Sequence, residues 1–227
     1  ENMASTFFGL TIAYSGLQAA NTSLTITGHN VSNINTKGYT RQQAGTQAAD
    51  ALRTHTTYGA IGSGVVVTEI SQIRDSYYDV KYRNNMANYG QYSVKESYMG
   101  QIEDYLDEFT LNGYSQEYKN FFSAVNQLTI TPGDTSAKNQ LINNAKSLAD
   151  YFNTLTTNLR NVQADANNEI KDAVQQINSY AKNIAALNRQ INQIEANYGN
   201  ANDLRDKRNA MIDELSEIVN LETSEED

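Results

Sequence analysis

The chain contains no cysteine, no tryptophan and a single proline, Pro132. Without cysteine there is no disulfide, no zinc–thiolate centre and no thiol nucleophile. Long apolar runs are also missing. No segment approaches the roughly 20 residues that a membrane-spanning helix needs. Basic clusters are scarce: 17 Lys and Arg stand against 26 Asp and Glu, a net charge of -9. The densest spot, Arg205-Asp206-Lys207-Arg208, is interrupted by an acid. Nucleic acid requires a basic stripe to neutralise its phosphates, and an anionic membrane surface requires the same, so neither is an expected partner. A secretory signal is not legible either. Phe7-Phe8-Gly9-Leu10 is too short for its apolar core, and no Lys or Arg precedes it. The hydrophobic fraction is 39% and the mean hydropathy -0.60. Both are low for a compact enzyme and ordinary for long helices.

The most local absence is of charge. Residues 3–36 hold no Asp, Glu, Lys or Arg, although an exposed helix face normally carries them. Phe7, Leu10, Ala13, Leu17, Ala20, Leu24, Val31 and Ile34 recur there in steps of three and four, with Thr27 filling one slot. That spacing is a heptad seam. It predicts a helix from Met3 to about Ser32, about 45 Å long. The seam is one stripe wide and rich in small residues, so it needs a partner helix. A helix packed among copies of itself has reason to exclude charge, because buried like charges repel.

Asn and Ser crowd residues 28–36 and compete for backbone hydrogen bonds, and Gly38 permits positive φ, so the helix ends here. Residues 40–72 read as extended and looped, with Val65–Ile70 as the strand candidate. Helix resumes near Asp75 with Tyr78, Tyr82, Met86, Tyr89, Tyr92, Tyr98, Ile102, Tyr105 and Leu106 as its predicted packing positions. Asn112-Gly113 closes it. A short helix over about 114–128 follows, then a Thr131-Pro132-Gly133-Asp134 turn with Asp134 or Thr135 as N-cap. Helical periodicity then runs from Ala137 to about Tyr198. Two successive four-residue steps, Val162–Ala166–Ile170, form a stutter. A last helix spans about 202–215. The expected fold is mainly α: a long, coiled-coil-like antiparallel helical bundle (75–227), an N-terminal helical arm (1–36) and a small irregular β-containing linker (37–74).

Reaction chemistry is thin. His29 and His55 have no neighbours suited to a metal site or a catalytic dyad. Gly59, Gly62 and Gly64 lack the lysine and the strand-to-helix setting of a phosphate loop and read as a turn. Glu103, Asp104, Asp107 and Glu108 lack a calcium loop and read as a solvated helix face. The 15 tyrosines lack a basic groove for nucleic-acid stacking and read as helix packing. No catalytic residue, cofactor or metal is expected.

Two motifs remain. The stretch Ala19-Ala20-Asn21-x-x-Leu24-x-Ile26-x-Gly28-x-Asn30-Val31-Ser32-Asn33-Ile34-Asn35-Thr36-x-Gly38-Tyr39 resembles the N-terminal signature of bacterial flagellar axial proteins, the rod, hook and hook-associated proteins. Its core is Asn30, Asn33, Asn35, Thr36, Gly38 and Tyr39. Thr40-Arg41-Gln42 resembles the subgroup at the hook–filament junction. So does the segment carrying Asn202, Asp203, Leu204, Asp206, Arg208, Asp213 and Leu215, about 165 residues further on.

The resemblance implies a non-enzymatic structural subunit that assembles by helix packing. Leu10, Leu17, Leu24, Val31 and Ile34 would form its assembly seam. Its partners would be copies of itself in a helical lattice, the hook protein and a neighbouring junction protein. It would reach the extracellular flagellum by the flagellar type III route, without a cleaved signal. An export chaperone would bind a C-terminal region lying outside this sequence, since such proteins continue through an outer domain to a C-terminal heptad helix. The alternatives are another axial protein of rod or hook, or a secreted coiled-coil binding module.

Overall fold

A computed structural model describes residues 7–53, 59–106, 113–197 and 199–225. Among them, helix α1 (Phe8–Ser32) is followed by four strands, β1 (Gln42–Ala48), β2 (Leu52–Arg53), β3 (Ala60–Ile61) and β4 (Val65–Gln72). Four helices complete the chain: α2 (Ser76–Leu106), α3 (Tyr114–Ile130), α4 (Thr135–Glu195) and α5 (Asn202–Ile218). The mainly helical expectation holds. Met3 to Thr6, His55, Asp107, Glu108, Asn112 and Tyr198 lie outside the described residues.

The chain gathers into two compact units, one of residues 1–86 and 178–227, the other of residues 87–177. α2 and α4 each contribute to both units.

In the first unit the linker is more ordered than its sequence suggests. β1 pairs antiparallel with β4, and β2 with β3, so the two pairs nest one inside the other. β1 reads Gln-Gln-Ala-Gly-Thr-Gln-Ala, with one β-branched residue. It is a strand because β4, Val-Val-Val-Thr-Glu-Ile-Ser-Gln, offers an edge to it. A bulge shifts the register between Gly45 and Thr46, where Gly45 faces Glu69 and Thr46 faces Val67. Thr68 is the extra residue, and its hydroxyl donates to the Gly45 carbonyl.

α1 lies on this hairpin through a face that the seam does not include. Ile12 and Ser15 are half-buried on it, and Ala19 and Ile26 are buried. Gly64 sits directly beneath, with φ +111, and an added Cβ would come within 2.2 Å of Ser15 Oγ. The close approach lets Val65 N–H donate to Ser15 Oγ at 3.2 Å.

The second unit is built on aromatic contacts. Tyr114, Tyr118 and Phe122 follow one another along α3, with ring centroids 5.3 and 4.5 Å apart, and Tyr114 also meets Phe152 of α4 at 5.7 Å. Asn144 Nδ2 donates to the Asn120 carbonyl, tying α4 to α3. Asp134 is the cap of α4: its Oδ1 accepts from Ser136 N–H at 2.8 Å.

One packing expectation is corrected. Tyr78, Tyr82, Tyr89 and Tyr92 stand exposed on α2. The face that α2 covers carries Asp79, Arg83, Met86 and Gly90 instead. A buried arginine sets that face, so apolar periodicity could not find it.

Candidate functional site

The two motifs meet. Asn30, near the end of α1, grips the backbone at the start of β1 with both ends of its amide. Its Oδ1 accepts from Gln42 N–H at 3.0 Å, and its Nδ2 donates to the Gln42 carbonyl at 2.9 Å. Asn can supply one donor and one acceptor in this way, whereas Asp cannot donate when ionised. Tyr39 adds a second donor to the same Oδ1, at 2.7 Å, and its hydroxyl also lies 2.9 Å from His29 Nδ1. Burial, then the charges of Asp203 and Asp206, push the Tyr39 hydroxyl up, so it stays protonated as a donor. His29 is thereby accounted for as a structural partner of Tyr39.

Between Asn30 and Tyr39 the chain turns. Thr36 Oγ1 donates to Asn33 Oδ1, and Asn33 Nδ2 donates to the His29 carbonyl. Gly38 has φ +81, and a Cβ there would sit 3.0 Å from the Cβ of Ala210. The glycine therefore serves both the turn and the approach to α5. Asn35 is exposed.

α5 answers with acids. Asp206, 6% exposed, accepts from Thr40 N–H at 2.9 Å through one oxygen and from Gln72 Nε2 at 2.8 Å through the other. Here an acceptor-only side chain fits, since both neighbours donate. Asp203 accepts from Gln42 Nε2, and Asn202 Nδ2 donates to the Ile70 carbonyl on β4. Asp213 takes Arg83 Nε at 2.7 Å and lies 3.6 Å from Arg74. Its own carbonyl accepts from Ser216, which is 1% exposed. Leu204 and Leu215 are half-buried beside these polar groups. Lys37 pairs with Glu214 in solvent, and this hydrogen bond raises the Lys37 amine. Arg208 belongs to a different cluster, with Glu225.

The motif residues thus stitch α1, the hairpin and α5 into one scaffold. Sequence reasoning missed their partners: Gln72, Arg74 and Arg83 carry no motif. The inner face of α1 was findable, because Ile12, Ala19 and Ile26 keep helical spacing once Ser15 is admitted among them.

What the scaffold presents is the seam. Leu10, Leu17, Leu24 and Val31 line the outward side of α1 and are 64–71% exposed. Ile34 is exposed too, but it lies past the helix end, in the turn, and does not continue the stripe. Around the seam the serine and threonine hydroxyls are satisfied internally. Thr11, Thr22, Ser23, Thr25, Thr27 and Ser32 each donate a hydroxyl to the carbonyl four residues back. Covering these hydroxyls with protein strands none of their donors. No group of three or more His, Asp or Glu suited to a metal occurs among the described residues, and none of their helices is long and apolar enough to cross a membrane.

Comparison with known proteins agrees with this arrangement. Residues 99–227 match the family model described as the flagellar hook-associated protein FlgK helical domain. The chain is 32% identical over 227 residues to flagellar hook-associated protein 1 of Bacillus subtilis, covering 98% of this chain and 45% of that relative. It is 33% identical over 217 residues to flagellar hook-associated protein 1 of Salmonella typhimurium, covering 95% of this chain and 39% of that relative. The Escherichia coli protein of the same name is 32% identical over 217 residues, with the same coverage of 95% and 39%. The chain spans less than half the length of these relatives. With the family model matching more than half of its residues, the chain belongs to the flagellar hook-associated protein 1 family.

Proposed function

We propose that the chain is a portion of a structural subunit of the bacterial flagellum, at the hook–filament junction, and that it works by helix packing without catalysing a reaction. The observation that carries this reading is the uncharged, exposed seam of α1, held in place by a scaffold made from the two motifs. A stripe of Leu10, Leu17, Leu24 and Val31 on a helix with no charge is suited to partner helices and poorly suited to water. Residues 1–36 act as the arm that enters the assembly, and the helical bundle supports it from outside. The partners are copies of the same subunit in a helical lattice, with hook protein on one side and a neighbouring junction protein on the other. The flagellar type III route carries it to the cell exterior, and an export chaperone holds a C-terminal region beyond these residues.

The test is the double substitution Leu17→Asp, Leu24→Asp in the full-length protein of a motile strain. Filaments should no longer attach to hooks, while the purified 227-residue chain keeps its urea midpoint. Normal filament attachment with both aspartates in place would overturn the proposal. The same double substitution separates a secreted binding module, which would retain its partner, from an axial subunit, which would not assemble.

A further inference from the structure

The chain after α5 is the part of the first unit that the two motifs leave unexplained. From Val219 to Glu225 it forms no regular element, and residues 221–225 make one wall of a cleft of about 1320 Å³. The other walls come from β4, α2, α4 and α5. Three arginines reach this strap. Arg83, 7% exposed, donates Nη1 to Thr223 Oγ1 at 3.0 Å. Arg205 Nη1 and Arg208 Nη2 both donate to Glu225 Oε1, at 2.7 and 2.5 Å.

Arg205 is itself pre-set. Its Nε and Nη2 grip the two oxygens of Glu195 at 2.7 and 2.8 Å, a bidentate pair that fixes the plane of the guanidinium. Arg208 is oriented by Asn188 through Nη1, while its buried Nε finds no acceptor among the described residues. Its head group is therefore turned to serve the strap at the expense of one of its own donors. Nothing in the stitch between the motifs requires this.

We propose that Arg83, Arg205 and Arg208 form a clasp that holds the chain after α5 against the first unit, and that loss of the Glu225 charge opens it. Where the chain continues, as it does in the longer relatives, the clasp fixes the point from which the following segment departs. Only that consequence rests on the reading of the chain as part of a junction subunit. The groups facing Glu225 are Arg205 and Arg208 on α5 and Glu195 on α4, with Glu69 on β4, Arg74 just before α2, Asp79 and Arg83 on α2 and Glu222 of the strap lining the same cleft. Burial pushes the Glu225 carboxyl up, and Glu195 adds to this. The hydrogen bond and charge of Arg208, with the charge of Arg205, outweigh both and hold it below the usual range. A depressed carboxylate stabilises the clasp above its ordinary value of 4.5 and loses that contribution as pH falls through the folded value.

The experiment is amide hydrogen exchange across residues 219–225 of the 227-residue chain. Glu225→Gln should speed exchange there about fivefold, the scale of one half-exposed ion-pair network, and leave α5 unchanged. Glu195→Gln loosens the pre-set plane of Arg205 and leaves its charge, so exchange in the strap should rise less than it does with Glu225→Gln. The clasp is overturned if the unaltered strap already exchanges like free peptide, if Glu225→Gln changes nothing, or if Glu195→Gln speeds exchange equally. A failure of filament attachment leaves these rates untouched, so the two readings fail separately.

Discussion

In α4 most of the apolar residues that recur at three and four positions turn inward, with Val162 7% exposed and Ile191 2%, and Ile170 at 62% is the main exception. In α1 the same spacing marks the outermost residues: Leu17 is 67% exposed and Leu24 71%. Both helices pass the same periodicity test, so periodicity alone cannot say which stripe meets its own chain. The flanks differ. α4 carries Glu169, Lys171, Asp172, Lys182 and Arg189 on its other sides, whereas α1 carries no charge at all. A helix with one stripe inside and the rest in water can afford charge on every other face. α1 has one side covered, by the hairpin below, and an exposed apolar stripe above, and its serine and threonine hydroxyls are bonded back to its own backbone. Absence of charge, rather than the heptad, distinguishes the stripe that the chain leaves exposed.

The largest expected effect tests that distinction directly. Ile191→Ala should cost about 2–5 kcal/mol in urea unfolding, because it opens a cavity in a filled site. Leu24→Ala removes the same kind of atoms from an exposed face and should change stability by less than about 0.5 kcal/mol. Similar costs for the two would mean that the α1 stripe is already covered within the chain, and the contrast would fail.

The scaffold behind α1 should be nearly as sensitive. Asn30→Asp places a carboxylate oxygen against the Gln42 carbonyl in place of Nδ2. The lost donor and the facing oxygens should cost about 1–3 kcal/mol. Asp206→Ala leaves Thr40 N–H and the Gln72 amide without their acceptor, at a similar cost. Thermal melts of the two variants should drop together. An unchanged midpoint for either would show that the motif is kept for contacts outside the chain and not for the stitch.

Gly64→Ala probes the inner face of α1. The backbone there has φ +111, which strains an alanine, and the new Cβ would press on Ser15. About 1–3 kcal/mol is expected. Adding Ser15→Ala should return the steric part and leave the strain, a coupling that a double-mutant cycle reads out. Strict additivity would argue that α1 is not seated on the hairpin.

The helices were legible because their apolar spacing and stop signals are local. Asn112-Gly113, Pro132-Gly133 and Gly199 stand next to the element ends that the structure shows. Two four-residue steps overshoot two full turns by about 80°, and Ile170, at the end of them, is 62% exposed. The motifs were legible as residues but not as a joint. Asn30 to Gln42 and Asp206 to Thr40 are polar contacts whose partners are backbone groups, and backbone donors leave no trace in composition. β1 was missed because its strand character comes from β4, and Arg83 because a buried cation obeys no hydrophobic period. The tyrosines misled for a related reason: their spacing is helical, yet the covered face of α2 belongs to Arg83.

The smallest effect lies where the α4 stripe leaves the interior. Tyr98 on α2 donates its hydroxyl to Glu169, the neighbour of Ile170. That hydrogen bond, then slight burial and the nearby charges of Glu169 and Asp165, push the Tyr98 hydroxyl up from 10.0 to about 12. A raised value means that the link is complete below the ordinary tyrosine range and is lost as pH rises through the folded value, here from about 10 toward 12. At neutral pH, Tyr98→Phe should leave the melting temperature almost unchanged, because the pair stands in solvent. An NMR titration of the Tyr98 ring carbon is the sharper measurement. Glu169→Gln should bring its midpoint back toward 10 while the other tyrosines keep theirs. If Tyr98 titrates at its ordinary value in the unaltered chain, α4 does not turn Glu169 toward α2 at this level, and the outward drift of its stripe at Ile170 loses its closest independent support.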